Sequence, residues 1–209
     1  MRRRFCVLSL LFVLCLFAVS ATCADEGLVQ ELSSDKLFFD NFDEGIRPEW
    51  TAVEGKWRMV NGALQPVEGA APRVELDALD FGDGIIEFKT GNIDTVWGKR
   101  NELQIGVKRQ DGSEAGYWFK YYDEKLVCYL MTESGETLEF YQEQVKLLKS
   151  YEYNMRIEIK KDIIKMLVNG EQVCVFSDDA FNRGFISIVM KPSDADNPYP
   201  WIDDFTIYE

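Results

Sequence analysis

The sequence predicts an all-β chain, folded as a two-sheet antiparallel jelly-roll β-sandwich, and three observations carry that expectation. Apolar and polar residues alternate with period two in roughly a dozen short runs. Turn pairs separate the runs about every ten residues, among them Asn61-Gly62, Asp111-Gly112 and Asn169-Gly170, which readily take the φ > 0 conformations of tight hairpins. Only 142–149 offers a helix candidate, with a short turn expected around 179–182.

The opening residues, Met1-RRR, precede an uncharged apolar run over 5–18 and small residues at Ser20, Ala21 and Ala24. A basic start, a short apolar stretch and a small-residue exit read as a cleaved signal peptide over 1–24, too short for a membrane span. A short tail over 25–34 and one sandwich domain over 35–209 follow, exported to the medium or, in a two-membrane bacterium, to the periplasm. Ser20-Ala21-Thr22-Cys23 is faintly like a lipoprotein box, but Thr22 stands where that box takes Gly, Ala or Ser, which argues against a lipid anchor at Cys23.

Strands are expected from Leu37 onward, then on either side of Asn61-Gly62, and at 73–79, 85–89, 102–109, 117–122, 126–132 and 137–141. The C-terminal third is the clearest. Met155, Ile157 and Ile159 share one face, Asn169-Gly170 turns the chain into 171–176, and the strands 184–190 and 201–208 follow. With 14 Phe, 9 Tyr and 5 Trp, an aromatic residue is by default core between the sheets.

Composition excludes whole classes of function. The chain has 23 Lys and Arg against 36 Asp and Glu; losing 1–24 removes three arginines and no acid, leaving 20 − 36 = −16. Nucleic acid, bound through phosphate neutralisation, is thereby an unsuitable partner. There is no histidine, which removes Ser-His-Asp and Cys-His mechanisms and the usual zinc sites. Any catalysis would rest on carboxylates, Lys, Tyr or an oxygen-held metal. Cys6, Cys15 and Cys23 leave with the signal. Cys128 and Cys174 remain, either as a disulfide permitted by export or as small core hydrophobes.

Two stretches carry a family resemblance. The opening F-x-D-N-F, W-x-x-x-x-G-x-W and N-G-x-L phrases, with the closing Gly184-FISIVMK and Trp201-IDDFTIY strands, resemble the concanavalin A-like lectin/glucanase and laminin-G-like group. The resemblance spans nearly all of 35–209. It implies the sandwich fold and, for many members, a glycan held on the concave sheet. It also implies that terminal strands pair and in some members hold a structural Ca²⁺ near that seam, the one cofactor in view, with none otherwise required. Asp40, between Phe38 and Phe42, and Asp203, in phase with Phe205 and Ile207, are the candidate ligands, since a carboxylate facing the core needs a partner. A hydrogen bond from backbone or Trp N–H is the competing partner.

Alternation nominates a ligand face. In 102–109, Leu103, Ile105 and Val107 point one way and Glu102, Gln104 and Lys108 the other; in 117–122, Tyr117, Phe119 and Tyr121 oppose Trp118, Lys120 and Tyr122. Pairing through Asp111-Gly112 gathers Glu102, Gln104, Trp118, Lys120 and Tyr122 on one open face, where rings cover pyranose C–H surfaces and polar groups bind hydroxyls. Trp97 and Arg100, in the preceding loop, would rim a pocket or plug the loop. The partner expected is a carbohydrate or polysaccharide.

Catalysis is the alternative. Glu75-LDAL-Asp80 resembles the E-x-D-x-x-E strand of family 16 glycoside hydrolases; Glu75 and Asp77 share a face with Cα atoms about 6 to 7 Å apart. It departs from that family in ending on Asp80, in coming early, and in lacking the flanking Trp. The compact start also resembles the 3-keto-disaccharide hydrolase domain, where Asn101-ELQIGVKR keeps the strand and Arg109 but not the N-S-G motif. The first reading is therefore a secreted, non-catalytic carbohydrate-binding module. A glycoside hydrolase of the keto-disaccharide type and a laminin-G-like adhesion or structural module are the alternatives.

Overall fold

Phe140 of one sheet stacks on Phe176 of the other with ring centroids 4.7 Å apart, closing one side of a sandwich whose strands form a single continuous hydrogen-bonded path. The computed structural model describes residues 35–209, except 94, 97–98, 123–124, 145–151 and 193–198. The signal peptide and tail therefore lie outside the described residues. Among the described residues there is no helix.

The first layer runs β10 (Thr137–Gln144), β9 (Lys125–Met131), β8 (Gly116–Tyr122), β7 (Glu102–Arg109), β14 (Gly184–Lys191), and then the second half of β3 (Ala63–Phe81). The second layer runs β15 (Trp201–Tyr208), β4 (Gly84–Gly91), β11 (Tyr153–Lys160), β12 (Ile163–Val168), β13 (Glu171–Ser177), with β1 (Lys36–Asp40) also on β15. A short β5 (Thr95–Val96) and β6 (Lys99–Arg100) pair with each other. Every assigned pairing is antiparallel. The stretch 142–144 is strand rather than helix, because it continues the ladder with 125–127; 145–149 lies outside the described residues.

β3 joins the layers. Its first residues pair with β15 at Leu64 and its later ones with β14 from Arg73 to Leu76, while β2 (Thr51–Val60) follows it along the whole bend. The register of β2 shifts three times between Ala52 and Trp57. Bulges and glycines at a close approach let a strand turn a corner: a Cβ on Gly55 would lie 2.4 Å from the Glu68 carbonyl oxygen.

The core between the layers is the set alternation selects. Leu103, Ile105, Val107, Tyr117, Phe119, Tyr121, Ile186, Ile188 and Met190 face Ile86, Phe88, Met155, Ile157, Ile159, Ile164 and Met166. At the seam of the first and last strands, Trp50 packs edge-on to Phe38 and Phe205 at 5.8 and 5.1 Å. Asp40 is buried there. It accepts the Trp50 indole N–H at 2.9 Å and the Phe42 backbone N–H at 2.8 Å, which meets the requirement for a partner without a cation. Burial raises its pKa, and these two donors oppose the rise.

Asp203 does not face the core. β15 carries an extra residue between Asp203 and Thr206, where Asp204 adopts φ 48°, so the buried phase runs Ile202, Phe205, Ile207. Asp203 is turned outward and accepts the Asp204 N–H at 2.7 Å; Asp204 pairs with Lys89 at 2.9 Å. Desolvation still raises the Asp203 pKa. Among the described residues no group of three or more Cys, Asp or Glu side chains is placed to hold a metal ion.

Cys128 on β9 and Cys174 on β13 meet across the core as thiols, sulfur to sulfur 3.1 Å. Contact with Cys174 and burial push the Cys128 pKa up. A mild oxidant should close the pair, because its sulfurs already touch. Intact-mass measurement should then show the loss of two hydrogens. The melting temperature should fall on reduction, a cross-link of this kind contributing about 2–4 kcal/mol. Thiols that stay fully alkylatable after oxidation would make them packing residues only.

Candidate functional site

The outward face of the first layer brings together most of the predicted site. Gln104 stands opposite Lys120 and Gly106 opposite Trp118, while β9 sets Tyr129 beside Trp118 and Lys125 beside Tyr122. Glu102 sits at the centre of the exposed part, accepting Lys120 at 3.2 Å and Lys191 at 3.1 Å, with Gln104 also donating to it. Burial raises the pKa of Glu102, but the two ammonium groups and Gln104 outweigh it and hold the carboxyl below its ordinary value. The Lys120 ammonium also lies 4.6 Å from the Tyr122 ring centroid, a cation–π contact. Tyr129 extends the chain of polar contacts, its hydroxyl donating to Gln104 at 3.3 Å; burial first, then Glu102 and Glu114, push its pKa up to about 12.

Trp118 differs from the expectation. It is only 2% exposed and is no open platform. Its ring stacks on Tyr129 with 6.5 Å between centroids, its N–H donates to the Glu114 carbonyl at 3.0 Å, and the Arg109 guanidinium lies over it at 4.6 Å. Gly106 makes the room, since a Cβ there would lie 3.0–3.1 Å from Arg109 and the indole.

Arg109 is the residue alternation missed. Val107 and Lys108 together oppose Ile186 alone, between the pairs Gly106 with Ser187 and Arg109 with Phe185. Lys108 takes φ 51° in this bulge, which sends Lys108 off the face and turns Arg109 onto it. The guanidinium is 2% exposed. Its Nη1 lies 3.6 Å from Glu114 and 3.9 Å from Glu75, and Nη2 donates to the Ser113 carbonyl. Nε and Nη1 have no hydrogen-bond partner among the described residues; the rings of Trp118 and Phe185, 4.6 and 5.3 Å from Cζ, supply the compensating attraction.

Glu75 and Asp77 both point outward, on either side of the buried Leu76, but are used differently. Glu75 accepts the Ser187 hydroxyl at 3.3 Å and lies 3.9 Å from both Arg73 and Arg109, while Arg73 itself forms a two-pronged pair with Glu114 at 2.5 and 3.0 Å. Asp77 is exposed and accepts the Thr51 hydroxyl at 3.2 Å on the edge strand. Asn101, where the keto-disaccharide hydrolase resemblance looked for its motif, is buried and donates to the Asn92 carbonyl at 2.5 Å, closing the loop ahead of β7. Trp97 lies outside the described residues; Arg100 is described only by its strand pairing with Thr95.

Comparison with solved structures finds the same architecture. The fold is that of the concanavalin A-like sandwiches. The carbohydrate-binding module CBM66 from Bacillus subtilis superposes with a TM-score of 0.64 at 14% identity, over 77% of this chain and 96% of that one. The Bacillus licheniformis β-glucanase gives 0.61 at 12% identity, over 84% and 98%. The laminarinase catalytic domain from Thermotoga maritima gives 0.61 at 14%, again over 84% and 98%. No family model and no curated protein sequence matches. At these identities the likeness establishes the fold, which hosts both binding and hydrolysis.

Burial recasts Trp118 as a structural residue. Trp118→Ala should destabilise the domain by about 3–5 kcal/mol, the cost of emptying a buried aromatic site. Urea unfolding followed by circular dichroism checks this, and a midpoint within experimental error of wild type would place the ring on the surface after all.

Proposed function

We propose that the protein is a secreted, non-catalytic glycan-binding sandwich whose ligand lies on the exposed part of the first layer, over Glu102, Lys120, Tyr122 and Lys191, with the buried Gln104 beneath them. The observation that carries this reading is the half-exposed Tyr122 ring beside two lysines converging on one carboxylate. A pyranose presents an apolar face and a rim of hydroxyls; a ring beside preorganised donors and an acceptor matches both. The network is paired before a ligand arrives, so little side-chain entropy is lost on binding. The structural neighbours add support, because one is a carbohydrate-binding module and others are glucanases. Export follows from the signal-like residues 1–24, and the acidic chain suits a neutral polysaccharide better than a polyanion.

Trp118, Arg109 and Tyr129 form the floor in this reading. Tyr129 also donates to Gln104, whereas Tyr122 and Lys120 touch the ligand.

Affinity electrophoresis of the purified protein in gels containing soluble β-glucans, fructans or galactans tests it. At least one polysaccharide should retard the protein. Tyr122→Ala should weaken that retardation by about 1–3 kcal/mol of binding free energy, the scale of a central aromatic anchor, with an unchanged melting temperature. Retardation by none of these, or release of reducing ends from a polysaccharide that is bound, would overturn the reading in favour of the adhesive or the hydrolytic alternative respectively.

A further inference from the structure

The bulge that delivers Arg109 to the sheet face delivers Lys108 to the end of the sandwich. Lys108 lines a cleft of about 860 Å³ there, with Asp83, Lys161, Asp162, Asp178, Asp179 and Arg183. The residue is 2% exposed and holds φ 51°, a left-handed conformation uncommon for a residue with a side chain.

Several of the other charged groups are already engaged. Asp178 accepts the Tyr117 hydroxyl at 2.6 Å and the Ala180 N–H at 2.9 Å; Asp162 accepts Ser177 at 2.7 Å; Asp83 accepts the Lys161 N–H at 3.0 Å; Arg183 holds Asp80 at 2.9 Å and Glu209 at 3.2 Å. Lys108 differs from them. Its ammonium has no hydrogen bond and no ion pair among the described residues, and the charges that act on it across the cleft are Asp83 and Arg183. Burial lowers its pKa, in keeping with a cation short of partners. The ammonium reaches the cleft, where its donors are open to water or to a ligand oxygen from outside.

Charge selects the kind of acceptor. A free anion would meet Asp83, Asp162, Asp178, Asp179 and Glu209 against three cations, and a metal ion would meet Lys108. A neutral polyol satisfies both signs, taking hydrogen bonds from the ammonium and giving its hydroxyl protons to carboxylates. Among the described residues no aromatic ring lines the cleft, so the ligand would be held by hydrogen bonds rather than by stacking. We propose that this end cleft is a second, small-polyol site taking a monosaccharide or the end of a sugar chain, with Lys108 donating to ligand hydroxyl oxygens and the exposed Asp83 and Asp179 accepting from hydroxyl groups. It stands apart from the glycan face and does not depend on it.

The test is amide chemical-shift titration of the ¹⁵N-labelled full chain with glucose, galactose and fructose in turn, and with sodium acetate and magnesium chloride as counter-probes. At least one sugar should give saturable shifts at Asp83, Lys161 and Asp179. Lys108→Gly, which keeps the left-handed backbone and removes the amine, should bind that sugar about tenfold more weakly. Asp179→Asn, on the exposed rim, should also weaken it and decides the matter if the Lys108 variant does not fold. Tyr122→Ala should leave these shifts unchanged, which separates failure of this site from failure of the face. The proposal is overturned if no sugar shifts these amides, if both cleft variants bind as wild type does, or if only acetate or magnesium gives saturable shifts.

Discussion

One extra residue in β7 governs what both faces of the first layer present. With Val107 and Lys108 set against the single Ile186, the alternation that buries Leu103, Ile105 and Val107 is broken at the last two residues of the strand. Lys108 leaves for the end cleft and Arg109 takes the place over Trp118. The left-handed backbone of Lys108 costs about 1–3 kcal/mol. Gly184 on β14 makes room for it: a Cβ there would sit 2.3 Å from the Arg109 carbonyl oxygen and 2.5 Å from the Lys108 carbonyl carbon. A glycine on β14 thus permits the bulge that sets the surface chemistry of β7.

The neighbouring strand repeats the division of labour between adjacent residues. Tyr117 crosses the core, packs against Phe176 and Phe181 at 6.1 and 5.8 Å, and ends its hydroxyl on Asp178 in the end cleft. Burial and the Asp178 charge raise its pKa, so it remains a donor. Trp118, next in sequence, points the other way and forms the floor of the sheet face. The residue pairs 108–109 and 117–118 therefore tie the cleft, the core and the face into one packed unit. A change in the core under Tyr117 should be felt at both surfaces, since packed interiors transmit strain.

The alternation of β7, β8, β11, β12 and β14 could be read from residue type alone, and with it nearly the whole core, because each strand has one face against the other layer. The grouping of Glu102, Gln104, Lys120 and Tyr122 follows from the same rule. Tyr129 and Lys191 were open to it too, as the outward residues beside Cys128 and Leu130 on β9 and beyond Met190 on β14. Bulges defeated it. Arg109 and Lys108 exchanged roles at one, and Asp203 turned out of the core at another, where Asp204 was inserted between Ile202 and Phe205. A two-residue period carries no mark of where a strand gains a residue. The burial of Trp118 was illegible for a different reason: direction can be inferred from period, but cover depends on Arg109, Glu114 and Tyr129 arriving from separate turns and strands.

Replacing Gly184 tests the dependence of all this on the bulge most directly. If the close approach of β14 to Lys108 and Arg109 is what holds the bulge, Gly184→Ala must displace backbone rather than a flexible side chain. Its urea midpoint should then fall by the equivalent of at least about 1–3 kcal/mol, the usual cost of overpacking. A Gly184→Ala protein that unfolds at the wild-type midpoint would show that the bulge does not rest on this contact.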